Sequence, residues 1–262
     1  MWLREEVCVR ERAMLDLFKK KNKDVNVPET VDKIEAAVYE VLKPHGFKKH
    51  GRTLHRFVSG DISQVVHFQS GLRSLQGKMC VNVGIGVLEC IERVFHPENT
   101  KKRYRLDECT MRSMLGAVRG KREPWYDLSK YSEKMTQSII REIVDIVIPA
   151  FDELSTREAI LERRASIKWL HVYGSLTLDE CMMHGHLGNM EKARELFEKN
   201  YDDAVARCNR LVADRKREFD KESKRLLRQG IKVTTDSTGY ANVPLSHIEY
   251  LDELAVKLGF RE

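Results

Sequence analysis

Between Lys43 and Gly60 the chain places Lys43, Lys48, Lys49, Arg52 and Arg56 among His45, His50 and His55, without one carboxylate. Arginine forks grip carboxylate and phosphate groups through paired N–H donors. If Arg52 and Arg56 met His67 and Gln69 from a following strand, and Arg112, Arg119 and Trp125 from further along, they would form a pocket for an anion or a polar ligand. The same charges would equally serve a solvated hairpin, their stems covering apolar edges and their heads discouraging strand-to-strand aggregation.

A second chemistry is phosphate-backbone binding. Its candidates are Lys48 and Lys49 in the first cluster and Arg215, Arg217 and Lys221 in a later one, where Arg207 to Arg228 holds nine Lys or Arg against four Asp or Glu. Neither aromatic RNP strands nor zinc-finger spacing accompanies them. The run CMMHGH offers Cys181, His184 and His186, but without a CxxC pair or an HExxH motif it predicts a helix end and no metal site. Asp61, Asp107, Glu108 and Asp127 are the carboxylates available for acid–base work, and no GxSxG or activated-cysteine pattern points to a nucleophile. No cofactor is expected.

These residues sit in a chain of 262 residues with 42% hydrophobic and 33% charged residues, long enough for a sizeable core in one or two domains. The net charge of +6 comes from 46 basic and 40 acidic residues, so distribution matters more than total. Six cysteines without CxxC pairs fit reduced thiols. No run approaches a membrane span, and the charged start MWLREEVCVRER does not read as a signal peptide. The expectation is a cytoplasmic protein that does not enter membranes.

The elements follow from periodicity. Residues 1 to 24 read as a helix ending in KKKNKD; Ile34, Val38 and Leu42 predict an amphipathic helix capped by Thr30 and stopping before Pro44. Three strands, Thr53 to Val58, Ile62 to Gln69 and Lys78 to Val87, form an antiparallel meander. In the third, Val81, Val83, Ile85 and Val87 alternate with Cys80, Asn82, Gly84 and Gly86, giving an apolar face and an unusually small one against which a helix, or less simply a ligand, would pack. Weak strand character follows from Thr110 to Val118, and Trp125 and Tyr126 read as core anchors. A helix capped by Ser132 ends near Pro149. Leu176 to His186 and Met190 to Leu227 read as helices about a Gly188–Asn189 turn, IKVTTDSTGYANVP as a strand or ordered loop, and Ser246 with Glu249 as a capping box for a last helix ended by Gly259.

The run LKPHGFKKHGRTLHRF, the strands DISQVVHFQSG and VNVGIGV, Trp125-Tyr126 and IPAFDEL (Ile148 to Leu154) together resemble the bacterial family catalogued as domain of unknown function 4304. The likeness covers about residues 31 to 160. It implies the fold and carries no catalytic residue, because no function is established for that family.

The fold class read from this pattern is α+β: an antiparallel β-meander packed by helices, then a mainly helical C-terminal region. The divisions expected are an N-terminal extension (1–26), an α+β domain (27–170) and a helical region (171–262) with a long basic helix. The functional expectation is a non-enzymatic binding protein with a protein partner, immunity to a toxin or an accessory role in defence being roles that suit such a module. Nucleic-acid binding through the basic patches is the alternative, and an enzyme of unassigned reaction the third. Oligomeric state is open.

Overall fold

A computed structural model describes residues 26–94, 105–118, 120, 125–172, 175–231 and 242–262. The N-terminal helix read at 1–24, the turn at His96 and the segment from Lys232 to Ala241 lie outside the described residues, as do Tyr104, Arg119, Lys121 and Arg122. The chain divides into two compact units, the second beginning at Ser175.

The first unit is α+β. Helix α1 (Val27–Leu42) starts one turn before Thr30, because Asn26 caps it: the Asn26 side chain accepts from Glu29 N, and Pro28 occupies the first turn, where no N–H donor is needed. Its buried positions, Val31, Ile34, Val38 and Leu42, form one stripe at helical spacing. A 3-10 turn (Lys43–His45) carries Pro44 and ends on Gly46 at φ +83°, in the left-handed region.

The sheet then runs through β1 (Lys48–His50), β2 (Thr53–Val58), β3 (Ile62–Ser70) and β4 (Lys78–Val87), all antiparallel in sequence order. Lys48–His50 is a further strand ahead of the three read from the sequence; Gly51 and Arg52 turn the chain between it and β2. After β4 come α2 (Leu88–Val94), β5 (Met111–Met114), α3 (Leu115–Val118) and β6 (Tyr126–Asp127). Strand β5 continues the sheet beside β4 and β6 pairs with the other end of β4. The stretch read as weakly extended to Val118 is thus strand only to Met114.

Three helical pieces follow: α4 (Glu133–Glu142), a π-helical turn (Ile143–Val147) and α5 (Ile148–Glu153). The helix does not end near Pro149. The widened π turn lies just ahead of that proline, whose ring and missing N–H would strain a regular ladder, so the chain stays helical to Glu153. Then α6 (Arg157–Arg163), capped by Thr156, leads to β7 (His171–Val172), which pairs with β5 and completes the seven-stranded sheet.

Opposed residues of antiparallel strands share a face. One face of the sheet carries Leu54, Val66, Phe68, Val81, Val83 and Ile85, all fully buried, and α1 packs against β3 on this side. Nine of the ten residues of β4 are buried, so its other face is covered as well. There Gly84 and Gly86 leave room for the chain that packs across them. A Cβ at Gly84 would lie 2.9 Å from Cβ and Sγ of Cys109, and one at Gly86 2.9 Å from Cδ1 of Ile91 on α2. The small face is therefore filled by the protein itself at this end.

An ion cluster ties the far ends of the strands. Arg157, 6% exposed, donates from Nη1 and Nη2 to Asp61 in the β2–β3 loop at 3.0 and 2.8 Å, and from Nε and Nη2 to Glu89 at the start of α2, both at 2.7 Å.

The second unit contains α7 (Leu176–His186), α8 (Met190–Arg228) and α9 (Asn242–Lys257). Gly188, at φ +78°, and Asn189, which caps α8, make the turn between the first two. Helix α9 starts four residues before Ser246, so that serine is inside the helix and not its cap. The core joins Leu178 and Cys181 of α7, Ala193 and Phe197 of α8, and Leu251, Leu254 and Ala255 of α9, with Phe260 after the stop at Gly259. Arg194 lies over the Phe260 ring and Arg261 over that of Tyr201.

Two outcomes are expected. Gly84→Ala should destabilise the protein by about 1–3 kcal/mol by overpacking against Cys109, measured by urea unfolding. Arg157→Met should cost about 3 kcal/mol, near the low end for breaking a buried pair because Asp61 stays 23% exposed, with the same measurement as the check.

Candidate functional site

The basic run from Lys43 to Gly60 finds its carboxylates elsewhere in the fold. Arg52 in the β1–β2 turn donates from Nη2 to Asp32 of α1 at 2.9 Å. Lys49 lies 2.7 Å from Glu35 of the same helix, an ion pair by distance although its angle falls outside hydrogen-bond range. Arg56 is the most enclosed. It donates from Nε to Gln64 at 2.7 Å, from Nη1 to the His45 carbonyl at 3.0 Å and from Nη2 to Asp152, and its guanidinium lies over the Phe47 ring. Gln64 in turn donates to the Phe151 carbonyl. These contacts fasten the first hairpin to the helices; Arg52 and Arg56 do not join the polar residues on the opposite side of the sheet.

That opposite side is where the remaining pocket candidates meet. Pairing places Thr53, His67, Asn82 and Met114 in one row across β2 to β5, Gln69 and Cys80 in the next on one side, and Val65, Gly84, Arg112 and His171 in the next on the other. His67 shares a hydrogen bond between Nδ1 and Thr53 Oγ1 at 2.9 Å. Burial holds its pKa below the ordinary 6.5, outweighing the carboxylates of Asp107 and Glu35, so the ring is neutral at neutral pH. Asn82, 5% exposed, donates from Nδ2 to Gln69 Oε1 at 3.1 Å, and its Oδ1 accepts a long contact from the Cys80 thiol at 3.7 Å. Burial pushes that thiol up to about 12, which leaves it protonated and a poor nucleophile.

Beside this amide pair opens a cleft of about 190 Å³ lined by Gln69, Asn82, Leu106, Arg112, Ser113 and Met114. Asn82 and Ser113 are its buried members, Arg112 and Leu106 are half-buried, and Gln69 and Met114 stand at the exposed rim. The structure thus brings Gln69 and Arg112 of the sequence candidates to one cleft, with His67 opposite Asn82. Arg119 is outside the described residues, and Trp125 is half-buried at the start of β6. Asn82, Leu106, Ser113 and Met114 were missed as lining residues. The signal for Asn82 was its position in the small face of β4; the other three arrive through pairing and a 3-10 turn that no local pattern announces.

The phosphate candidates separate. Lys48 is exposed on β1 and Lys49 faces Glu35. Arg215, Arg217 and Lys221 lie on the outer half of α8, where Arg217 pairs with Asp214 at 2.7 Å. His184 and His186 fall in the last turn of α7, where a helix dipole would favour the charged ring. For His184, burial and Lys192 outweigh that and lower its pKa. Among the described residues no group of three His, Cys, Asp or Glu could hold a metal ion, and the five described cysteines are free thiols.

His67 carries a pH prediction. Its folded pKa lies below the 6.5 of the unfolded chain, so the unfolded state takes up the proton first. Its neutral form supports the fold fully above that value, and this support falls away as pH drops from about 6.5 toward the lower folded pKa. His67→Gln should flatten that part of the stability profile relative to the wild type, read from urea midpoints at stepped pH.

No curated protein and no solved structure matches this chain, and among the described residues no helix is long and apolar enough to cross a membrane. What does match, over the hairpin with its Gly-Phe-Lys-Lys run, the meander and the helices that close on Asp152, is the family model described as domain of unknown function (DUF4304), at residues 38–153.

Proposed function

We propose that this is a binding protein that engages an acidic partner protein along the outer half of α8. The observation that carries the reading is the state of that helix: from Asn209 to Arg228 none of its residues is buried. At 1.5 Å per residue this stretch is about 30 Å long. Over Arg207 to Arg228 it carries nine Lys or Arg against four Asp or Glu, and it exposes Leu211 at 44% and Leu227 at 61%.

A charged helix with no core of its own beneath it depends on local side-chain pairs, here Asp214 with Arg217 and Glu222 with Arg225. Such pairs at exposed positions contribute little, whereas a partner that covers the helix would add apolar burial and charge complementarity together. The excess of cations fits an acidic partner surface. The density of Lys and Arg along one helix is also what favours the second reading, nucleic acid.

One experiment separates them. The full chain and the triple variant Arg215→Glu, Arg217→Glu, Lys221→Glu, shown by circular dichroism to keep its helix content, are used for affinity purification, and any captured protein is remade and titrated directly. In parallel, both are titrated with labelled random single- and double-stranded nucleic acid from low to high salt. The expected result is a purified protein whose affinity falls at least about tenfold on charge reversal, with no submicromolar nucleic-acid binding even at low salt. Submicromolar nucleic-acid binding with a steep salt slope, lost on reversal, would replace the proposal by the second reading. A protein partner indifferent to the reversal would remove α8 from the interface.

A further inference from the structure

We propose that the acidic partner of α8 is a second copy of this chain, whose acidic line on the inner half of α8 docks against the basic line on the outer half. This rests on the reading of α8 as a contact surface and names what covers it. The helix is charged in two blocks. From Met190 to Ala206 it holds five Asp or Glu against three Lys or Arg, and from Arg207 to Arg228 four against nine. Within the first block Glu191, Glu195, Glu198 and Asp202 are spaced by four, three and four residues. Within the second Arg217, Lys221, Lys224 and Arg228 have the same spacing. With 3.6 residues to the turn, each set falls in a strip about 60° wide and rises by about 6, 4.5 and 6 Å. Four-three-four reads the same in both directions, so the two lines match charge for charge whether the helices run parallel or antiparallel.

Both lines are open to a partner. All four cations are exposed, as are Glu191, Glu195 and Asp202, and Glu198 is half-buried. The basic line faces away from Val212, Phe219 and Leu226, which are half-buried. Among the described residues Lys221, Lys224, Arg228, Glu191 and Asp202 form no salt bridge. Arg217 is held by Asp214 at 2.7 Å, Glu195 by Lys192 at 2.8 Å and Glu198 by Arg261 at 3.7 Å. Exposed pairs such as these contribute little and exchange readily for intermolecular ones. The lines also fix the kind of assembly. Glu191 and Arg217 are 26 positions apart, which sets the two lines about 80° apart around the axis. A contact between one copy's acidic line and another's basic line therefore leaves a second line open on each copy. Association of this kind is head-to-tail and grows with concentration, without stopping at a closed dimer.

The full chain is followed by sedimentation equilibrium from about 0.05 to 1 mM, the range in which contacts made of exposed ion pairs are expected to form. Wild type should gain weight-average mass with concentration at low salt and lose that gain at about 0.5 M salt. Lys221→Glu with Lys224→Glu should weaken the association at least about tenfold, and so should Glu195→Lys with Asp202→Lys. Circular dichroism checks helix content, and either pair serves if the other unfolds. Arg207→Glu with Lys216→Glu makes the same charge change off the basic line and should leave the association near that of wild type. Mixing is the decisive step. Each of the two on-line variants keeps one natural line, so together they should associate at least about tenfold more tightly than either alone. One lowers the formal net charge of +6 by four and the other raises it by four, so both stay positive and bulk attraction does not bring them together. A monomeric wild type over the whole range, an equal loss in the off-line variant, or a mixture that stays monomeric would each overturn the proposal. If wild type stays monomeric while a purified acidic protein binds through α8, the second copy alone is ruled out as the partner; if neither binds, the reading of α8 falls with it.

Discussion

Strand β4 is buried on both faces at nine of its ten residues, and most of the first unit follows from that constraint. Its valines, with Ile85, meet the helix layer, while the backbone at Gly84 and Gly86 is approached to within a Cβ's reach by Cys109, Ser63 and Ile91. A strand buried on both faces must be central, so β3 and β5 flank it and the shorter, more exposed strands fall to the edges. The packing of Cys109 across Gly84 then fixes where β5 begins, and so where Arg112 and Met114 stand relative to Asn82. The polar cleft lies just beyond the glycines, at the first position on that face where a side chain fits again.

The basic first hairpin illustrates how a charge pattern acquires meaning only through partners distant in sequence. Its cations have no carboxylate nearby in the chain, yet Asp32, Glu35 and Asp152 supply three from the helices above. Arg56 shows the energetic logic. With 11% of its side chain exposed, it cannot rely on water, so a carboxylate, an amide, a carbonyl and an aromatic face share its donors and its charge. The hairpin is thereby clamped to the helix layer by polar bonds, while its apolar residues enter the core.

Elements with strong periodicity were legible in the sequence: β2 and β4, the pair of helices about Gly188, and the α+β order all stand where alternation and helical spacing put them. Legibility failed where a long-range contact or a local exception decides. The strand Lys48–His50 is too short to show alternation, Thr30 lost the capping position to Asn26, and the helix runs through Pro149 on a π turn. For the cleft, His67, Gln69 and Arg112 were visible as residue types, but their meeting depends on strand register. Arg52 and Arg56, which looked equivalent to them, are diverted to the helices because alternation and the turn at Gly51 aim them at α1 and α5.

The π turn also lets this helix hold one extra residue without turning its far end away from the sheet. A π turn carries one residue more than the α-helical turn it replaces, so removing a single residue from Ile143–Val147 would let the helix close into a regular ladder. Everything beyond it would then keep nearly its present direction around the axis, because the wide turn spends its extra residue within a single turn. The Phe151 carbonyl and Asp152 would go on facing Gln64 and Arg56, so the hairpin clamp tolerates the extra residue that the turn absorbs. Helix phase, more than any single contact, is what keeps the two ends of this domain in step.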